Sequence, residues 1–108
     1  MEFIETPLFS KLLPKYLSDD EFHELELCLI DQPDLGDEIR GSGGIRKLRW
    51  AYHERGKRGG LRIIYYWVIS RDQIYFLYLY PKNKADDLTA DQLNQLRRLV
   101  EIELKARS

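Results

Sequence analysis

Cysteine and histidine are the scarcest reactive residue types in this chain of 108 residues. The single cysteine, Cys28, excludes an internal disulfide and a zinc site built on a cysteine pair. His23 and His53 are the only histidines and lie on different predicted elements, which argues against a histidine metal site. We expect His23 on a helix surface and Cys28 buried in that helix as a small hydrophobe. His53, beside a basic segment, stays open as a proton-transfer group.

Long apolar runs and nucleotide-binding motifs are also lacking. The longest strongly apolar stretch, Ile63 to Ile69, is too short to span a bilayer. The first residues lack the basic-then-apolar order of a signal peptide. Glycines 41, 43 and 44 match neither a P-loop nor a dinucleotide fingerprint. The sequence therefore predicts one cytoplasmic domain over residues 1–108, with no membrane contact and no cofactor.

Charge is strongly segregated along the chain, although the formal net charge is only −1. Residues 1–39 hold 11 acidic and 2 basic side chains, whereas residues 40–84 hold 11 basic and 2 acidic ones. If the middle third shares one face, it presents a positive field suited to nucleic acid. Neutralisation of basic strands by acidic helices within the fold is the alternative.

Hydrophobic periodicity and turn residues predict an α+β fold. An edge strand over Phe3 to Pro7 precedes a helix that ends before Pro14 and a second helix capped by Ser18 and Glu21. A loop over residues 34–44 leads into a three-stranded meander over residues 45–51, 61–69 and 74–80. A capping box at Thr89 and Gln92 starts a C-terminal helix. We expect a twisted antiparallel sheet with the helices on one face and the other face partly open.

Basic and tyrosine side chains of the meander are the candidate site. Strand alternation places Lys47 and Arg49 on one face and Arg46 on the other. All three, together with Arg58, are candidates for binding RNA or the ribosome. Because the meander returns to the same end of the sheet, Arg62 and Tyr80 should be close in space. Further cations can converge at that edge; they are Lys57, Arg58, Lys82 and Lys84.

These residue types suit cleavage of RNA without a metal ion. Arginine binds phosphate through two parallel hydrogen bonds, and a lysine among other cations has a lowered pKa. Tyrosine can stack on a base or donate a proton. Glu54 and Asp72 are the only acids in the basic third, which is a poor basis for a divalent-metal nuclease. A solvated basic face with no catalytic role remains the alternative.

Three motifs follow one another along the chain. They are residues 43–49, with the sequence GGIRKLR, residues 56–66, with GKRGGLRIIYY, and residues 80–88, with YPKNKADDL. In this order they closely resemble the RelE/HigB toxin family, and its HigB branch in particular. The resemblance covers nearly the whole chain. It implies a RelE-like fold and the toxin of a type II toxin–antitoxin pair.

The resemblance also implies an activity, partners and residue roles. The activity is messenger RNA cleavage in the ribosomal A site, against 16S rRNA, by attack of a ribose 2′-hydroxyl. The partner is a HigA-like helix-turn-helix antitoxin, through which the toxin reaches operator DNA indirectly. Lys47 and Arg49 fall on the family's RNA-gripping positions, and Arg62 falls on its phosphate-stabilising arginine. The cation after the last strand falls on Lys82, with Lys84 close by.

Two departures leave the acid and base open. Asn83 stands where the RelE branch often has arginine, and Leu88 stands near its catalytic tyrosine. Proton transfer is then expected from Lys57, Lys82, Lys84 or Tyr80. Two other functions stay open on the same fold: a toxin that poisons gyrase by protein contact, as ParE relatives do, and a non-catalytic RNA-binding or antitoxin-docking protein.

Overall fold

The computed structural model describes residues 1–51, 60–82 and 87–106, with side chains through residue 103. A 3₁₀ turn over Ile69–Arg71 joins the last two strands, and a two-residue strand interrupts the expected loop. None of the helices in these ranges has the length and apolar character that crossing a bilayer requires. The elements in chain order are β1 (Glu2–Glu5), α1 (Pro7–Tyr16), α2 (Asp19–Asp31), β2 (Asp37–Glu38), β3 (Ile45–Trp50), β4 (Leu61–Val68), β5 (Gln73–Pro81) and α3 (Ala90–Ala106).

The five strands form one sheet in the order β1–β5–β4–β3–β2. β3, β4 and β5 make the expected antiparallel meander, and the α+β class is confirmed. β1 instead pairs parallel with β5, with Glu2 opposite Gln73 and Glu5 opposite Phe76. The sheet is therefore mixed, which corrects the expected direction of the edge strand. The long connection between β1 and β5 makes parallel pairing possible.

Both faces of the sheet carry a hydrophobic core. On one face, α1 and α2 pack against a cluster that includes Leu61, Ile63 and Tyr65 of β4. On the other face, which we call the α3 face, Leu96 and Val100 of α3 pack against the sheet. The expectation that helices cover one face only was wrong. β4 and β5 are apolar on both sides, so each side needs a cover.

Local capping fixes where α2 and α3 begin. The Ser18 hydroxyl accepts from the backbone of Glu21 at 3.1 Å, and the Glu21 carboxylate accepts from the backbone of Ser18 at 2.9 Å. Thr89 and Gln92 exchange the equivalent pair of hydrogen bonds at the start of α3, at 2.9 and 3.1 Å. Both predicted capping boxes are confirmed, and each satisfies amides that the first helical turn leaves unpaired.

Helix α1 runs past Pro14 to Tyr16, which corrects the predicted end of this helix. Pro14 lacks the N–H that would donate to the carbonyl of Ser10, but only two helical residues follow it, and the N–H of Leu17 closes the last turn onto the carbonyl of Leu13 at 3.0 Å. At the other end, the Thr6 hydroxyl accepts from the backbone of Phe9 and donates to the carbonyl of Leu77. This contact ties the start of α1 to β5.

An extra residue in β5 sets which side chains reach the α3 face. Ile64 is opposite Tyr78 and Tyr65 is opposite Phe76, so Leu77 has no partner of its own in β4. Such a bulge lets two consecutive side chains point to the same side. Leu77 and Tyr78 accordingly both join the cluster on the α3 face.

Candidate functional site

A row of three candidate side chains crosses strands β3, β4 and β5 near one end of the sheet. Arg49 of β3 is directly opposite Arg62 of β4, which is directly opposite Tyr80 of β5. Residues directly opposite one another project to the same face, and neighbouring strands are about 4.8 Å apart. The predicted proximity of Arg62 and Tyr80 is therefore confirmed, and Arg49 joins them. We call Arg49, Arg62 and Lys47 the cation row.

Lys47 lies one pleat along β3 from Arg49, on the same face. It is opposite Ile64, which is opposite Tyr78. The rings of Tyr78 and Tyr80 lie 5.5 Å apart at an angle of 32°. The α3 face thus presents cations on β3 and β4 and tyrosines on β5. Ile64 and the other hydrophobic residues of this face lie between and beneath them.

Arg62 is the buried member of the row, with 5% of its surface exposed. Its Nη1 donates a long hydrogen bond, 3.4 Å, to the carbonyl of Leu61. Arginine stays protonated at any physiological pH. A charge held in a partly dry environment acts on an anion more strongly than one in open water.

Asp87, just before α3, shows where the field of these cations converges. Its carboxylate accepts a hydrogen bond from Nζ of Lys47. That hydrogen bond and the Lys47 charge lower the pKa of Asp87, and the charges of Arg62 and Arg49 lower it further. One carboxylate therefore senses all three cations, although they come from two strands. Sequence reasoning gave Asp87 no role, although it lies in the third family-like motif and in an acidic pair that follows a basic segment.

Lys82 belongs to the same end of the sheet. Its backbone N–H donates to the carbonyl of Gly60 at 3.2 Å, immediately before β4 begins. Its side chain is exposed. Where β4 pairs with β5, Leu61 is opposite Pro81, and the next pair is Arg62 opposite Tyr80. Among the described residues, the cations proposed from sequence therefore share one surface, with one exception.

Arg46 is that exception. It is opposite Tyr65, on the face that α1 and α2 cover. Its Nη1 donates to the carbonyl of Gly36 at 2.7 Å and to that of Asp34 at 3.4 Å. The structure therefore does not bring Arg46 together with Lys47 and Arg49, because its guanidinium holds the loop before β2.

Several residues named from the sequence lie outside the described residues; they are Lys57, Arg58, Lys84, His53 and Asn83. Among the residues that are described, no three His, Cys, Asp or Glu side chains are grouped so that they could hold a metal ion. His23 is exposed, as expected. Cys28 is exposed as well, which corrects the expectation of burial; Leu25 and Leu29 are the buried residues of α2.

Comparison with known proteins agrees with this architecture. Residues 11–108 match the sequence model of a family described as the RelE toxin of the RelE/RelB toxin-antitoxin system. The structure is also similar to that of a mutant of the E. coli toxin RelE in the free state. That similarity has a TM-score of 0.56 and 12% sequence identity, and it covers 79% of this chain and 86% of that chain. At such identity the structural likeness concerns the fold, and it confirms the expected RelE-like arrangement. Because the family match spans nearly all of the sequence, the chain belongs to the RelE toxin family.

Proposed function

We propose that this protein is the toxin of a type II toxin–antitoxin module and cuts messenger RNA in the ribosomal A site, as one domain and without a metal ion. Membership of the RelE toxin family supports the toxin role. The HigB-like motifs of the sequence support a HigA-like antitoxin, operator DNA reached through it, and a cytoplasmic location. The single observation that carries the chemistry is that Lys47, Arg49 and Arg62 share one face of the sheet, where Lys47 pairs with the Asp87 carboxylate.

A carboxylate that pairs with Lys47, on the face that also carries Arg49 and Arg62, marks a position suited to a phosphate. Both groups are oxyanions that accept hydrogen bonds from lysine and arginine, and arginine can hold a phosphate through two parallel bonds. Arg62 is buried and comparatively fixed, whereas Lys47 and Arg49 are more exposed. Arg62 therefore suits stabilisation of the charge that develops on the reacting phosphate, and the other two suit capture of the RNA backbone.

The proposed reaction is an internal transfer of the phosphoryl group. The ribose 2′-oxygen forms a bond to phosphorus as its proton passes to a basic group, and the bond from phosphorus to the 5′-oxygen breaks. The departing 5′-oxygen takes a proton from an acidic group. The products are a 2′,3′-cyclic phosphate and a 5′-hydroxyl, so water, metal and oxidant are not consumed.

Tyr80 and Lys82 are the described candidates for these proton transfers. Tyr80 is next to Arg62 across the ladder, and Lys82 follows it by two residues. Lys57 and Lys84 remain proposals from sequence alone, as does an RNA-binding role for Arg58. General acid–base catalysis needs a positioned donor and a positioned acceptor, and this set offers both a phenol and amines.

The test is a reconstituted translation reaction with a defined messenger RNA, in which cuts are mapped at nucleotide resolution. We expect cutting only when ribosomes are present, and products that end in a 2′,3′-cyclic phosphate. A messenger RNA with a 2′-deoxy nucleotide at the cut position should resist cleavage, because the attacking hydroxyl is gone. Cleavage of the 2′-deoxy substrate would contradict the proposed mechanism and favour attack by water.

Matched variants separate site residues from general effects of charge. Arg62→Ala should reduce the cutting rate by about a hundredfold or more, the usual loss for a group that stabilises transition-state charge. Arg97→Ala removes an exposed arginine on α3 and should leave cutting unchanged. Full cutting by Arg62→Ala would refute the assigned role. DNA breaks with intact messenger RNA would favour the gyrase alternative, and RNA binding without cutting would favour the non-catalytic one.

A further inference from the structure

A cleft lies beside the cation row, at the end of β5 that β1 does not cover. It has a volume of about 280 Å³ and lies between the C-terminal part of β5, helix α1 and the start of α3. Six of its lining side chains matter here: Leu12, Tyr16, Tyr78, Tyr80, Leu88 and Gln92. Nothing in the catalytic proposal uses this cleft as a whole.

We propose that this cleft is a subsite for a nucleobase of the RNA whose phosphate the cation row holds. The inference rests on the proposed function, because it takes the bound polymer to be RNA. It adds a recognition site that the phosphate chemistry does not require.

The walls are aromatic on two sides. The bulge at Leu77 keeps Tyr78 on the α3 face with Tyr80, and their rings are 5.5 Å apart. Tyr16 comes from α1 on the other wall, and it is only partly buried. Every base has a flat π face, and tyrosine is one of the side chains on which proteins stack unpaired bases.

The cleft is within one nucleotide of the cations. Tyr80 lines it and is directly opposite Arg62, at the strand spacing of about 4.8 Å. Asp87 links the two sites, because it lines the cleft and also accepts from Lys47. A phosphate on the cation row would therefore carry its sugar and base to the mouth of this cleft.

Gln92 supplies a polar edge. Its Oε1 accepts from the backbone of Thr89 at 2.9 Å, which fixes the side chain at the start of α3. The amide nitrogen remains a donor group that a base nitrogen or carbonyl can use. Leu12 and Leu88 complete the apolar lining, so the cleft combines stacking surface with a small polar rim, as ligand sites generally do.

The probes for the test are adenosine monophosphate and ribose 5-phosphate, titrated into the full chain and followed by NMR. Both carry the phosphate, and only the first carries a base. We expect the nucleotide to bind about tenfold tighter, the size of effect that one stacked base produces. Signals of Tyr16 and Tyr78 should shift with the nucleotide and stay in place with ribose 5-phosphate.

Variants on the two walls make the test specific. Tyr78→Leu and Tyr16→Leu should each remove the preference for the nucleotide and leave ribose 5-phosphate binding unchanged. Tyr66→Leu is the matched control, because Tyr66 also belongs to the α3 face but lies at the far end of β4, opposite Ile45. Thermal unfolding of each variant checks that it is folded, and the two walls offer independent substitutions if one is not.

Equal affinity for the two probes in the unaltered protein would overturn the subsite. Retention of the preference in both wall variants would overturn it too. Either result would leave the cation row and the cutting reaction unaffected. Conversely, full cutting by Arg62→Ala would refute the proposed catalysis, while the nucleotide preference could still be measured on its own.

Discussion

Arg49 and Arg62 lie directly opposite each other on neighbouring antiparallel strands, so two guanidinium groups share one face of the sheet. Like charges in such a pair destabilise a sheet. The arrangement is therefore unfavourable for folding alone and favourable for holding an anion. This opposition between stability and binding is typical of functional sites.

Replacing Arg49 should separate these two effects. Arg49→Gln should raise the free energy of unfolding by about 0.2–1 kcal/mol, because it relieves the repulsion with Arg62. The same variant should cut messenger RNA about tenfold more slowly, since one charged hydrogen bond to phosphate is lost. Urea denaturation and the cleavage reaction measure the two quantities. Arg97→Gln, on the exposed surface of α3, should change neither. A destabilised Arg49→Gln would show that Arg49 is held by favourable contacts instead.

Asp87 should compete with RNA for the cation row. Its carboxylate is 72% exposed and pairs with Lys47, so a phosphate entering the row must displace it or share the cations with it. Asp87→Asn should therefore bind a labelled 2′-O-methyl RNA, which cannot be cut, several-fold more tightly than the unaltered protein. Fluorescence anisotropy at two salt concentrations measures this gain, which salt should screen. Asp91→Asn, a nearby exposed position in the first turn of α3, is the control.

Lowering the pH should have the same effect on RNA binding as Asp87→Asn. Lys47 lowers the pKa of Asp87, so the ion pair is complete above the usual pKa of an aspartate and is lost as the pH falls through the lower folded value. RNA affinity of the unaltered protein should rise across that acidic window, and the contribution of the pair to stability should disappear there. Asp87→Asn should show no such rise. An equal rise in both proteins would assign the effect to other carboxylates.

Tyr65 connects the sheet to the loop before β2. Its hydroxyl donates to the carbonyl of Pro33 and accepts from the backbone of Gly36, both at 2.8 Å, and its side chain is fully buried. Tyr65→Phe leaves both backbone groups without this partner and should lower the free energy of unfolding by about 1–3 kcal/mol. Because Arg46 holds the carbonyl of Gly36 as well, the loop should loosen and not detach.

The same tyrosine predicts a loss of stability in alkali. Burial raises the pKa of Tyr65, while the hydrogen bond from Gly36 and the nearby charge of Arg46 oppose the rise. Its contribution to stability is present below the pKa of an unfolded tyrosine, about 10, and is lost as the pH rises through the folded value. Below about pH 10, the urea midpoint of Tyr65→Phe should be lower than that of the unaltered protein. The two midpoints should converge as the pH rises through the folded pKa of Tyr65. A constant difference would contradict a raised pKa.

Much of this fold follows from local sequence patterns. The capping boxes at Ser18 and Thr89 are four-residue signals that depend on nothing distant. The proximity of Arg62 and Tyr80 follows from the order of a meander alone. Strand alternation also placed Arg46 on the face opposite Lys47, although grouping by charge kept it among the RNA-binding candidates.

Other features depend on contacts that no local pattern encodes. β5 is apolar on both sides, so it has no alternation of apolar and polar residues that the bulge at Leu77 would interrupt. The direction of β1 is set by packing against β5, and the position of α3 by the apolar second face. Lys47 and Asp87 are 40 residues apart, and only the folded chain brings them together.

Two glycines with similar backbone angles allow strain and collision to be measured separately. Gly60, immediately before β4, has a φ of +67°, and Gly41 has a φ of +72°. A Cβ at Gly60 would lie 2.6 Å from the carbonyl oxygen of Trp50, whereas one at Gly41 would meet nothing within 4 Å. Gly41→Ala should therefore cost about 1–2 kcal/mol from left-handed strain alone. Gly60→Ala should cost more, because a backbone oxygen cannot turn away as a side chain can.

Gly60→Ala should also affect the geometry of the candidate site. The carbonyl of Gly60 accepts from the backbone of Lys82, so a displaced β4 start moves the end of β5 with it. We expect Gly60→Ala to slow messenger RNA cutting even where it is fully folded, and Gly41→Ala to leave the rate unchanged. Urea denaturation gives the two stabilities, and the cleavage reaction gives the two rates. Equal stability losses would show that β3 shifts to accept the methyl group, and an unchanged rate in Gly60→Ala would show that this junction does not position the catalytic groups.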